Sequence, residues 1–250
     1  NSDNASAEAL YREALATMED TLGPDHPNVA LTLVTLSRVL KTHRDYDDAR
    51  ALLQRALAIR RKVYGELHPN VALTLNDLGR LELEAGRLAA AEAHFRRALA
   101  LYPADHAWRE TTVFNLGELA ERRGDDAMAA ARYRESLAAL RARRGDDHDR
   151  IGMRLGKLGG VLYRQGRFDE AERTLREALA IYRQRLPAGH ERLANLLLPL
   201  GRLLADRRRE AEALPLLREA WQVRHAAFGD ADPRTVEALQ ALARVRAPRA

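Results

Sequence analysis

An all-α fold of stacked helix pairs is the class this sequence predicts, on three observations. Ala, Leu, Arg and Glu dominate the 250 residues, and these are strong helix formers. Aromatic residues are only 5% of the chain, too few for a sandwich or barrel, while 46% hydrophobic content is too high for a disordered one. Most telling is an internal repeat: His26-Pro27-Asn28-Val29-Ala30-Leu31-Thr32-Leu33 returns almost verbatim 42 residues later as His68-Pro69-Asn70-Val71-Ala72-Leu73-Thr74-Leu75. A fixed period of this size signals a stacked array.

The register holds along the whole chain. After His68, further His stand at 106, 148 and 190, and Asp232-Pro233 takes the next turn. A second marker in the same register is Leu36-Ser37, Leu78-Gly79, Leu116-Gly117, Leu158-Gly159, Leu200-Gly201 and Leu242-Ala243. An Ala column follows at 49, 91, 129, 171 and 213, and an Ala-Leu column runs from Ala14-Leu15 to Ala220-Trp221, with Ser136-Leu137 in its fourth place. The units so defined are 1–25 (half), 26–67, 68–105, 106–147, 148–189, 190–231 and 232–250 (half), one array throughout.

Each unit reads as two helices. The first, for example Asn70–Glu84, places Val71, Leu75, Leu78 and Leu81 at three- and four-residue steps, one buried stripe. Gly86, Gly124 and Gly166 end it in successive units, since a left-handed residue closes a helix cheaply there. The second, for example Asp169–Arg185, carries Ala171, Leu175, Ala178 and Leu179 on one side. Gly in the Leu-Gly marker costs a helix about 1 kcal/mol, so it is expected where the paired helices approach closely. Pro27 and Pro69 sit where first helices begin. The junction Ala98–His106 is four residues short, which predicts a shorter second helix there and a local change of pitch. Ala5–Leu22 matches a second helix and Arg234–Arg246 a first, making twelve helices and suggesting a fragment of a longer chain. Pro199 falls mid-helix and predicts a kink or widened turn; Pro215, nearer its helix start, should perturb less. Leu10, Leu15 and Met18 at one end, with Val236, Leu239 and Leu242 at the other, predict exposed apolar faces and self-association through the end helices.

No catalytic chemistry is indicated. There is no cysteine, so thiolate metal sites and cysteine nucleophiles are absent. No phosphate loop, dinucleotide fingerprint, His-Glu-x-x-His or nucleophile elbow occurs. The repeated His lie about one helix-packing distance apart, roughly 10 Å, too far to converge on one metal ion. They read as loop structure. Gly156-Lys157-Leu158-Gly159-Gly160 falls inside a helix and reads as packing clearance. Asp47-Asp48, Asp125-Asp126 and Asp146-Asp147 read as helix caps. No enzyme activity, cofactor or metal is therefore expected. No apolar run reaches 18 residues, and no signal peptide is visible, so the expected location is cytoplasmic. The 41 basic and 36 acidic residues interleave, which favours solvated helix faces over nucleic-acid binding.

Leu-Gly in the first helix, Ala and Ala-Leu in the second, and the 42-residue period with Gly-x-x-His-Pro-x-Val-Ala-x-Thr-Leu between units resemble the tetratricopeptide repeat in its longer, kinesin-light-chain-like form. The chain departs from it where the family's Trp would stand, at Leu33, Leu75, Val113, Leu155, Leu197 and Leu239, and keeps the Pro after the second helix only as Pro103 and Pro187. The resemblance implies a right-handed α-solenoid of antiparallel helix pairs, and a protein-interaction scaffold holding a peptide or partner segment in a concave groove. It equally admits the regulatory or sensory region of a larger bacterial signalling protein, with nucleic-acid binding as a further alternative. The inner surface is lined, by the same resemblance, by first-helix positions two and five residues either side of the Leu of Leu-Gly. Those columns hold Leu31, Val34, Arg38 and Lys41; Leu73, Asn76 and Arg80; Phe114 and Glu118; Met153; and Asn195 and Arg202. Arg38, Asn76, Arg80 and Phe114 are the expected anchors of an extended, partly acidic peptide.

Overall fold

A computed structural model describes residues 2–145 and 149–246 and shows twelve helices among them. Asn1–Arg123 and Gly124–Ala250 form two compact units. The first contains α1 (Ser2–Leu22), α2 (Pro27–Thr42), α3 (Tyr46–Tyr64), α4 (Pro69–Glu84), α5 (Leu88–Leu101) and α6 (Arg109–Arg122). The second contains α7 (Asp126–Arg144), α8 (Asp149–Arg164), α9 (Phe168–Arg185), α10 (Glu191–Asp206), α11 (Glu210–Phe228) and α12 (Pro233–Arg246). His148 and the Asp146-Asp147 pair lie outside the described residues.

Within the first unit α2 packs on α3 and α4 on α5 as hairpins, and α4 also touches α2 and α6. Within the second, α8 packs on α9 and α10 on α11, and α10 touches α8 and α12. First helices therefore stand side by side within each unit. The apolar stripes close between them: Val71, Leu75, Leu78 and Leu81 are all buried, as are Ala171, Leu175, Ala178 and Leu179. The shortened junction has the expected effect, for α5 spans 14 residues against 19 for α3.

The glycines of the Leu-Gly marker have their packing reason. A Cβ on Gly79 would lie 2.5 Å from the ring of Phe95 in α5, one on Gly159 2.6 Å from Leu175, and one on Gly201 2.7 Å from Leu217. The paired helices meet backbone to side chain at each. The turn inside each unit is a left-handed stop. In the second repeat the Gly86 amide donates to Leu83 and the Arg87 amide to Glu82 at 2.8 Å, with Gly86 at φ +77°, the paired bonds that satisfy the last carbonyls of a helix. The same bonds form around Arg44 (φ 67°) and Arg208 (φ 60°), where a side chain takes the glycine's place.

Three of the repeated His, at 26, 68 and 190, are N-caps, while α6 starts beyond His106 with Trp108 at its N-cap. Nδ1 of His26, His68 and His190 accepts from the backbone N–H two residues on, at 3.2, 3.1 and 3.2 Å, and Asp232 does the same toward Arg234 at 2.9 Å. Each satisfies one of the amides a helix start leaves without a partner. Of the Asp pairs, Asp125 caps α7 through Met128 N–H at 2.9 Å. Asp47 and Asp48 sit instead in the first turn of α3, one step inside the N-cap Asp45, where the helix dipole still favours negative charge. Helix α10 runs unbroken from Glu191 to Asp206 through Pro199, which leaves the carbonyl of Asn195 without its helical amide.

The end helices are less open than their sequences suggest. Leu15 and Met18 pack against the core of the first unit because α2 covers them, and Leu242 is buried. Leu10, Tyr11, Val236 and Leu239 remain exposed.

Candidate functional site

At 100° per residue, the four inner-surface columns do not point the same way. Positions five before and two after the marker Leu lie about 60° round the helix from positions two before and five after it. The structure separates them accordingly. Leu31, Arg38 and Arg80, of the first kind, are exposed. Val34, Asn76, Phe114 and Leu83, of the second, are buried because that side of each first helix meets a neighbouring one. Asn76 shows the contact directly: its Oδ1 accepts from Thr112 Oγ1 at 3.0 Å and Asn115 Nδ2 at 2.8 Å, both in α6. The amide expected to hold a peptide backbone is thus engaged in joining α4 to α6, and the Phe114 ring is packed rather than presented. Leu73 and Glu118 are half-buried, while Met153 and Asn195, in the second unit, are exposed.

The cations of these columns divide by partner. Arg38 reaches Asp77 on the next first helix at 3.3 Å, and Lys41 reaches Glu84 at 2.7 Å. Arg202 donates to Glu237 at 2.9 Å, and Arg224 donates to the other oxygen of the same carboxylate at 2.8 Å. Burial pushes the Glu237 carboxyl up, but the bond from Arg224 and the charges of both arginines prevail and hold it below its ordinary value. In the second unit Tyr163, in the column of Lys41, donates to Asp206; burial first and that carboxylate second push the phenol up to about 12. Arg80 differs from the other cations, being exposed and making no ion pair or hydrogen bond with any described residue.

Arg38, Lys41 and Arg80 come together round one pocket of about 230 Å³ between α2 and α4, floored by Leu53 and Leu81 and edged by Asp77. Asp77 pairs with Arg38, leaving Arg80 as the uncommitted charge. Five guanidinium N–H donors in a fixed fork suit a carboxylate, and the apolar floor suits the methylenes that carry one. Asp77 and Glu84 were not singled out in the sequence. The available signal was an acid about one repeat beyond each cation, at offsets of 39 and 43 residues. Among the described residues no helix is long and apolar enough to cross a membrane.

A family model described as tetratricopeptide repeat matches residues 1–62, 42–104 and 105–184, and a second of the same description matches 193–234. No curated protein matches the chain. Among solved structures, BtubC (BKLC) from P. vanneervenii superposes with a TM-score of 0.75 at 21% identity, covering 90% of this chain and 91% of that one. A putative kinesin light chain with nearly identical TPR-like repeats from Podosopora anserina gives 0.66 at 19% identity, over 81% and 98%. YrrB, a TPR protein with an unusual peptide-binding site, gives 0.53 at 16%, over 92% and 96%.

Proposed function

The chain belongs to the tetratricopeptide repeat family, and on that premise we propose that it is a protein-interaction scaffold. Its first-helix surface in the Asn1–Arg123 unit takes an extended, partly acidic peptide. The observation that carries the reading is the unpaired Arg80 at the rim of a pocket it shares with Arg38 and Lys41. A peptide carboxylate would bond to Arg80 without displacing an existing pair, with Leu31 offering an apolar contact on the same open column. YrrB, with its peptide-binding site, supplies a precedent on this fold. Arginines elsewhere on the chain alternate with acids, as in Arg176–Glu212 and Arg183–Glu219, a pattern that suits protein partners better than a phosphate backbone.

Titrating fluorescent Glu- and Asp-rich peptides into the protein tests this. Arg80→Glu should weaken binding by more than about tenfold, the order of a charge-assisted pair turned into a repulsion. Thermal stability should not fall, since Arg80 makes no hydrogen bond or ion pair with any described residue. Arg38→Glu should weaken binding less, because Asp77 already holds that side chain. Equal affinity of Arg80→Glu and the parent would sink the reading.

A further inference from the structure

Arg80 is uncommitted because of what faces it on α6. Arg38 and Arg202, in the same column, each end on an acid of the next first helix, Asp77 and Glu237. On α6 the places of those two acids are held by Asn115 and Thr111. Asn115 Nδ2 donates to Asn76 Oδ1 at 2.8 Å and Thr111 Oγ1 to Glu110 at 3.2 Å, and neither side chain has a charge to offer Arg80.

The pair beside it is loose. Arg38 Nη2 stands 3.5 and 3.3 Å from the two carboxylate oxygens of Asp77, longer than the roughly 2.7–2.9 Å of a strong charge-assisted bond. The Asp77 side chain is 16% exposed and that of Arg38 62%, so the carboxylate is the seated member and the guanidinium the free-moving one. Asp77 precedes Arg80 by three residues on α4, which puts the two on one stripe of the helix, and both line the pocket with Arg38. Behind them Arg60 donates to Asn70 O at 3.1 Å and Thr74 Oγ1 at 2.8 Å. Burial pushes that guanidinium down and the Asp77 charge opposes the shift, so Asp77 answers an inner cation as well as Arg38. The pocket thus holds two exposed guanidiniums and a carboxylate of its own.

We propose that Asp77 sets the specificity of this pocket: it fills the place of a second ligand carboxylate, so the pocket takes one isolated carboxylate, at Arg80, and gains nothing from another beside it. This rests on the reading of Arg80 as the anchor. In an extended peptide alternate side chains point the same way, about 7 Å apart. A second Glu two residues from the first would come to the Arg38 side of the pocket and meet Asp77. That carboxylate repels it and already holds the guanidinium it would need. Selectivity here comes from a built-in repulsion, and removing the Asp77 charge alone turns the pocket into one that prefers paired acids.

Fluorescence anisotropy with three labelled peptides tests this, one with Glu-Ala-Glu at its centre and two in which one or the other Glu is Gln. The parent should bind all three within about threefold, the doubly acidic peptide gaining only a choice of carboxylates. Asp77→Asn, isosteric and uncharged, should bind the doubly acidic peptide at least about tenfold tighter than the parent does, and the singly acidic ones less than about threefold tighter. Adding Arg38→Gln to Asp77→Asn should return the doubly acidic peptide to parent affinity, with circular dichroism unchanged throughout. A parent that already prefers the doubly acidic peptide by more than about threefold overturns the proposal without any variant. So does an Asp77→Asn gain that is smaller, shared by all three peptides, or kept when Arg38 is lost. Arg80→Glu separates this role from the reading beneath it. If that variant loses the singly acidic peptides while Asp77→Asn shows no selective gain, only the role of Asp77 falls. If it binds them as the parent does, or if neither the parent nor Asp77→Asn binds any of the three, both fall.

Discussion

Arg44 and Arg208 hold the left-handed conformation that glycine supplies in equivalent turns at Gly86 and Gly166. For a residue with a Cβ that conformation costs about 1–2 kcal/mol. Replacing Arg208 by Gly removes the strain but restores backbone freedom to the unfolded chain, worth about 0.4–1 kcal/mol in the other direction. Arg208→Gly should therefore raise unfolding free energy by up to about 1.6 kcal/mol in a urea titration, and a loss would show that the side chain contributes contacts of its own. His94 carries the opposite kind of tension. Burial lowers its pKa below the ordinary 6.5, with Arg97 and Arg50 adding to the effect and Glu82 opposing it. The unfolded chain then binds its proton first, so stability should fall as pH drops through 6.5 toward the folded value and level off below that. Denaturant midpoints collected across this range for the parent and for His94→Asn check it: the variant should lose this part of the slope.

At the scale of a helix pair, what decides stability is how closely two backbones approach. Gly201 faces the Cγ and Cδ2 of the fully buried Leu217, and Gly79 the fully buried ring of Phe95. Adding a methyl forces a core side chain to move, at a cost of about 1–3 kcal/mol, of which the better helix propensity of Ala offsets about 1 kcal/mol. Gly79→Ala should be the more damaging substitution, since a flat ring wedged against a helix has less room to turn than a leucine. Calorimetry of the two variants should show the larger drop in Tm for Gly79→Ala; an equal effect would mean that α5 shifts as a body. The caps act at the same scale. His is not a preferred N-cap by composition, yet Nδ1 reaches the second amide of α2, α4 and α10 because Pro at the next position, or an extended backbone, aims it there.

Across the second unit the acid–base pairs form a ladder, Arg134–Glu170, Arg141–Glu177, Arg176–Glu212 and Arg183–Glu219, joining α7 to α9 and α9 to α11. All are about a third to a half exposed, and exposed pairs contribute only about 0.2–1 kcal/mol each. A double-mutant cycle on Arg176 and Glu212 should return a coupling energy under about 1 kcal/mol that shrinks in molar salt. A larger, salt-insensitive coupling would assign the ladder a structural weight that its exposure argues against. The array is held by its packed hairpins, and its surface charges register neighbouring helices against each other.

The repeat, both helices of each pair, the short α5 and the turn glycines were all legible in the sequence. These follow from local rules, a periodicity of apolar residues and the backbone preferences of Gly and Pro, which act within a few residues of the chain. The candidate site was legible only as a set of columns. Val34, Asn76 and Phe114 belong to the same set of inner-surface columns as the exposed Leu31, Arg38 and Arg80, but about 60° of rotation round the helix turns them into a neighbour. Arg38, Lys41, Arg80 and Arg202 look alike along the chain; whether each is committed depends on what stands one repeat away, Asp77, Glu84, Glu237 or nothing. Tertiary structure alone decided that, because a side chain's freedom is set by its neighbours in space, and in a stacked array those neighbours come from the next repeat.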